Sequence, residues 1–131
     1  MSKLFTLSAK ERIKSRKDIE TLFQSGKAFL IYPFRVLYRS RSKEETDAPL
    51  QFMVSVPKRN FRKATARNRI RRQIKEAYRL HKIALQPLLV QHQVQVQCAF
   101  VFMGKEAPAY HVIEETMKRS LQRLQSELQL Q

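Results

Sequence analysis

The chain is 131 residues long, the size of one ordinary domain with room for one real core. It carries 26 Lys+Arg against 11 Asp+Glu, a formal net charge of +15, and self-repulsion at that level opposes compactness unless a polyanion supplies counter-charge. The ordinary apolar share argues against wholesale disorder. A single cysteine, Cys98, and three scattered histidines (His81, His92 and His111) argue against a disulfide scaffold or a zinc module.

In chain order, residues 1–14 are basic and aperiodic and read as a flexible lead-in with no signal-peptide core. Ser15 has the chemistry of an N-cap, with Asp18 three residues on. Ile19, Leu22 and Phe23 then form an apolar stripe at helical spacing, and Gly26 closes it, so a helix is predicted over 16–25. Ala28–Ser40 reads as one strand, with Phe34, Val36 and Tyr38 alternating with Arg35, Leu37 and Arg39. Pro33 suggests an edge position or a bulge. A polar loop over 40–49 leads to a second strand, Leu50–Val56, and predicts an antiparallel hairpin between the two.

A basic loop over 58–64 precedes a helix from about Thr65 to His81, with a weaker continuation towards Leu89. Val94–Met103 is a third strand whose apolar end should be central, with Cys98 as a buried core thiol. Gly104–Pro108 is a turn. From Ala109, the positions Val112, Ile113, Thr116, Met117, Ser120, Leu121, Leu124 and Leu128 trace an amphipathic helix, with fraying expected over 125–131. The runs Ala28–Phe34 and Cys98–Met103 fall far short of the ~20 residues that span a bilayer, so a cytoplasmic location with no membrane or small-molecule partner is expected. The order α-β-β-α-β-α predicts an α+β chain: one domain over 1–131, a two-layer sandwich of a small sheet covered by helices.

The charge is concentrated. Residues 57–82 hold eleven basic side chains (Lys58, Arg59, Arg62, Lys63, Arg67, Arg69, Arg71, Arg72, Lys75, Arg79 and Lys82) and one acid, Glu76, so they carry +10 of the +15. At about 100° per residue, Ala66, Ile70, Ile74 and Ala77 share one arc, flanked by Leu80 and His81. Arg67, Asn68, Arg71, Arg72, Lys75, Arg79 and Lys82 fill the opposite arc. Solvated helix faces mix signs, because like charges one turn apart destabilise by ~0.2–0.5 kcal/mol per pair. A face of cations alone points to an external polyanion. Arg grips phosphate oxygens bidentately. Asn68 can reach a base edge, a 2′-hydroxyl or a hydrated metal ion, and the cations of 58–63 sit beside a helix N-terminus that also favours anions.

At this stretch the sequence resembles the bacterial ribonuclease P protein component family. Ala66-Arg67-Asn68-Arg69-Ile70-Arg71-Arg72, after a strand and a Lys-Arg loop, is similar to its signature. Ile13-Lys14 with Asp18, Phe23 and Gly26 matches the family's first helix, Phe34–Tyr38 its first strand, Val54–Arg59 the strand into the basic loop, and Glu76–Arg79 the continuation of the helix. The resemblance implies a partner, the catalytic RNA that removes the 5′ leader of precursor tRNA with Mg2+, and no dedicated metal site on the protein. It implies that Lys58, Arg59, Arg62, Lys63, Arg67, Asn68, Arg69, Arg71, Arg72, Lys75 and Arg79 face that RNA. It implies a mixed sheet with a left-handed crossover between parallel strands, and a cleft for the single-stranded leader between the first helix and the sheet. Two aromatics often stand one turn apart on that helix; here they are Ile19 and Phe23, so leader stacking is expected on Phe23 and Tyr38, with Phe34. Asn60-Phe61-Arg62 replaces the loop's usual glycine, leaving Phe61 as either a stacking group or a core anchor.

Rival classes fit less well. A protein-only nuclease needs clustered carboxylates for metal ions, but Asp18 and Asp47 are the only aspartates, and Glu44-Glu45 and Glu114-Glu115 read as solvated surface. A ribosomal or RNA-chaperone protein would share the charge but not the ordered motifs. A DNA regulator lacks helix-turn-helix spacing before Thr65, and a membrane-surface role lacks a free apolar helix face.

Overall fold

The computed structural model describes residues 7–42 and 48–130. Helix α1 (Arg16–Ser25) begins where Ser15 Oγ accepts the Asp18 amide at 3.2 Å, as its cap chemistry predicts. Gly26 follows with φ −69°, so no left-handed turn is made. A glycine is needed there because a Cβ would stand 2.4 Å from Leu22 O and 3.1 Å from Tyr38 O.

The single strand expected over 28–40 is a hairpin. β1 (Lys27–Ile31) and β2 (Phe34–Ser42) pair antiparallel around Tyr32 and Pro33, joined by a cis peptide bond. Pro33 has no amide for a ladder, and it marks a reversal rather than an edge or a bulge. β3 (Leu50–Ser55) is not the hairpin partner of β2. It runs parallel to β4 (Val94–Phe102), which pairs antiparallel with β2 on its other side, giving the order β1-β2-β4-β3. β4 takes the centre because residues 95–100 are buried on both faces. The β3–β4 crossover runs through α2 (Ala64–His81), a 3₁₀ turn and the short α3 (Gln86–Gln91), and the chain closes with α4 (Tyr110–Glu127). The chain is thus α+β with a mixed four-stranded sheet, carrying one strand and one short helix beyond the expected order.

The main core lies between one sheet face and α2, α3 and α4. Phe34, Val36, Tyr38, Phe52, Cys98 and Phe100 pack there with Ile70, Ile74, Ala77, Tyr78, Ile113, Met117 and Leu124. Tyr78, which the wheel did not single out, stacks on Phe52 at 4.0 Å between ring centres and meets Phe100 edge-on. The Cys98 thiol is buried and its pKa pushed up, as expected of an inert core group. On the opposite face Ile13, Leu22, Leu37 and Ala99 form a second, smaller cluster, so α1 adds a partial third layer.

The described residues near both ends make contacts beyond the expected elements. Ala9–Glu11 make a 3₁₀ turn, and the Ile13 amide donates to Phe52 O at 3.1 Å, docking Arg12 and Ile13 along the β3 edge. Glu11 is buried and pairs with Lys82 Nζ at 2.5 Å, where Gln86 also donates to its carboxylate. The lead-in thus makes specific contacts from Ser8 onwards, and its first six residues lie outside the described ones. At the other end Leu130 is buried in the core and its amide donates to Gln125 O, so fraying over 125–130 is not seen.

The Glu11–Lys82 pair carries a stability test. Lys82→Met strands a buried carboxylate and should cost about 3–5 kcal/mol in urea unfolding, whereas adding Glu11→Gln to it should recover much of the loss. Additive losses would mean the two groups do not act as a pair.

Candidate nucleic-acid interface

The basic surface starts in the loop before α2. Turn bonds from Asn60 N to Pro57 O and from Phe61 N to Lys58 O shape it without a glycine. Phe61 packs on the core with its ring 5.9 Å from Phe102, so it is an anchor and not a free stacking group. Arg67 Nη1 donates to Phe61 O at 2.6 Å and to Arg62 O at 3.0 Å. The loop and the first turns of α2 are therefore stapled together, and part of Arg67 is committed to that staple.

Lys58, Arg59, Arg62, Lys63, Asn68, Arg69 and Arg72 are exposed. Arg67, Arg71, Lys75 and Arg79 are half-buried along the same helix. Arg71 donates to Asn68 Oδ1 at 2.8 Å, so that amide's acceptor is already engaged. Arg79 grips Glu76 through Nε and Nη2, at 3.0 and 2.5 Å, and holds the Glu76 carboxyl below its ordinary range. The one acid on the helix is thus neutralised locally, at the cost of part of Arg79's charge. Lys82, placed by the wheel on the cationic arc, is buried against Glu11, so the surface ends at Arg79. Arg12 joins it from the lead-in. Burial first, then Arg12 and Arg71, push the Lys75 pKa down. Treating 1–14 as flexible hid this; Glu11, the first acid of the chain, was the available signal that the segment docks.

The expected leader cleft is only partly assembled. Ile19 and Phe23 stand one turn apart on α1, with Ile19 packed on the small cluster and Phe23 42 % exposed. Phe34 and Tyr38 do not join them. Both are buried on the other face of the sheet, Phe34 edge-on to Phe100 and Tyr38 against Phe29. Strand parity is the reason: α1 covers the face carrying Leu37, and Tyr38 points the opposite way.

On the α1 face, the register sets Leu30, Arg35 and Val101 in one row, then Ala28, Leu37, Ala99 and Met53, then Arg39, Gln97 and Gln51. Leu22 covers the second row. Asp18 ties α1 to the third, accepting from Arg39 Nη2 at 3.0 Å and Gln97 Nε2 at 3.2 Å, while Gln97 also donates to Gln51. The first row stays open, with Leu30 62 % exposed and Arg35 exposed. Phe23, Leu30 and Arg35 are therefore exposed on this side, with Val101 half-buried beside them. Sequence reasoning missed Leu30 and Arg35, although the lone apolar Leu37 between Arg35 and Arg39 marks where a helix must cover the polar side of β2.

Together these features define a small, strongly cationic α+β protein with a basic helix on one face of the sheet and, on the other, a face that α1 covers only in part. A family model described as Ribonuclease P matches residues 7–127. The ribonuclease P protein component of Porphyromonas gingivalis is 42% identical over 120 residues, spanning 92% of this chain and 87% of that protein. In fold, the chain is similar to the RNase P protein of Thermotoga maritima (TM-score 0.68, 22% identity, 86% of this chain and 96% of that one). It is likewise similar to that of Staphylococcus aureus (TM-score 0.65, 19% identity, 87% and 94%). The chain belongs to the ribonuclease P protein component family, the protein part of a ribonuclease of tRNA processing.

The staple separates a structural arginine from exposed ones. Arg67→Ala frees the loop and uncovers two carbonyls, and should lower stability by about 1–2 kcal/mol in thermal unfolding. Arg69→Ala and Arg72→Ala, on exposed side chains, should stay within about 0.5 kcal/mol of the parent protein. Equal losses for all three would refute the assignment.

Proposed function

We propose that the chain binds the catalytic RNA of ribonuclease P through the cationic face from Lys58 to Arg79 and receives the 5′ leader of precursor tRNA in the groove beside α1. The observation that carries this reading is the sign of the exposed face. Lys58, Arg59, Arg62, Lys63, Arg69 and Arg72 all point to solvent, while Glu76, the one acid of that segment, is held by Arg79. Such an array is paired by phosphates, and the guanidinium forks suit them.

The leader is assigned a different surface with different chemistry. Phe23 and Leu30 offer apolar area for bases, and Arg35 offers a cation for the backbone between them. Bond cleavage is assigned to the RNA partner and its Mg2+. The residues of this chain bind and orient: the cations neutralise phosphates that would otherwise repel the incoming substrate, and the groove fixes where the leader leaves the cleavage site. Among the described residues, no group of three or more His, Cys, Asp or Glu could hold a metal ion.

Reconstitution with the cognate RNA at low magnesium tests this, scoring mature tRNA 5′ ends. If 6–10 phosphates are contacted, affinity for the catalytic RNA should fall by about 10³–10⁵ between roughly 50 and 200 mM salt; a flat response would sink the reading. Arg69→Ala with Arg72→Ala should weaken catalytic-RNA binding with little change in leader preference. Phe23→Ala should do the reverse, by about 1–3 kcal/mol for one stacked base, and Tyr38→Phe should change neither. Preference for ribosomal RNA over the ribonuclease P RNA would favour a general RNA-binding role instead.

A further inference from the structure

Three cations from two separate segments converge at the outer edge of β3, where the lead-in docks. Arg12, on the docked lead-in, and Arg71 and Lys75, on α2, line one cavity of about 150 Å³ whose floor includes Ile13, Phe52 and Met53. Main-chain pairing fixes Arg12 there, since its residue bridges to Phe52 and the next amide donates to Phe52 O. Among the described residues, the acids next in sequence to these cations, Glu11 and Glu76, and Asp18 on α1 are engaged elsewhere. Glu11 holds Lys82, Asp18 holds Arg39 and Gln97, and Glu76 holds Arg79. Bringing three like charges to one cavity is unfavourable in the isolated protein. Burial lowers the Lys75 pKa most, and Arg12 and Arg71 lower it further.

The position is also specific. Ile13 and Met53 belong to the cluster beneath α1 as well as to this cavity, while Arg71 and Lys75 belong to the basic helix. The cavity therefore lies between the basic helix and the small cluster beneath α1. We propose that Arg12, Arg71 and Lys75 form a binding site for a single phosphodiester group of an RNA strand, where that strand passes between the basic helix and the α1 groove. This rests on the RNA-binding reading and adds to it a discrete site and a residue, Arg12, outside the basic segment. The apolar floor excludes water from one side of the bound group, which strengthens its contacts with the cations.

Arg12→Ala tests the site, with Arg119→Ala on exposed α4 as the charge-matched control. Two constants are measured for each: binding of the protein to the ribonuclease P RNA, and binding of the reconstituted complex to precursor tRNA with short and with long leaders. Arg12→Ala should weaken one of them by about tenfold and lower its salt slope by roughly 0.7–0.9, one phosphate's share. Arg12→Lys should restore part of the affinity, and Arg119→Ala should change neither constant. A loss confined to the first constant assigns the phosphate to the catalytic RNA; a loss confined to long leaders assigns it to the leader. Thermal stability of Arg12→Ala should be unchanged or raised, because repulsion with Lys75 and Arg71 is relieved. Reduced stability, or RNA affinities equal to those of the Arg119→Ala protein, overturns the site while leaving the parent reading intact. Parent protein that binds neither RNA overturns both.

Discussion

Lys82 ends α2 with its ammonium turned into the protein, against a glutamate more than seventy residues away in sequence. Two buried charges give little net stability over apolar groups of the same size, because desolvation offsets their attraction. What they give is a direction. Glu11 reaches Lys82 and Gln86 only when the lead-in lies along β3, and there Ile13 joins the small cluster with Leu37 just before α1 begins. The same pair marks where the cationic surface stops. The placement of α1, the groove beside it and the cavity at Arg12 all follow from that docking.

The acids of the chain form a pattern that complements the cations. Glu11, Asp18 and Glu76 each bond a basic or amide side chain within the fold. Asp18 fastens α1 to β2 and β4, and Glu11 fastens the lead-in to α2. Glu11 and Asp18 thereby hold elements together without diluting the charge that faces outward. The excess of cations is thus expressed on one helix face and its approach loop rather than averaged over the surface.

Much of this was legible in the sequence, and the failures have physical causes. Ser15, the stripe of α1, the apolar side of α2 and the periodicity of α4 were readable because their spacing matches a helix that buries one side. The order of strands was not. Short connections usually join neighbours, but β4, apolar on both faces, displaced β3 from β2 and took the centre. For the groove, the alternation in β2 was correctly read, yet nothing local says which face of a sheet receives a small helix. Phe34 and Tyr38, the larger aromatics, went to the larger core, and the modest residues Leu37, Ala99 and Val101 went beneath and beside α1. Phe61 was ambiguous for a related reason: an aromatic in a basic loop serves equally as a stacking plate or an anchor until the position of Phe102 is known.

The bonds from Arg67 to the carbonyls of Phe61 and Arg62 have a further consequence. They make the loop and the helix one rigid body, with Phe61 as its foot in the core, so the spacing between the loop cations and the helix cations is set before any partner arrives. A preformed array loses little conformational freedom on association, and each immobilised long side chain that need not be ordered anew spares about 0.5–1.5 kcal/mol. On the RNA-binding role proposed above, the RNA strand rather than the protein is the component whose path adapts to this array.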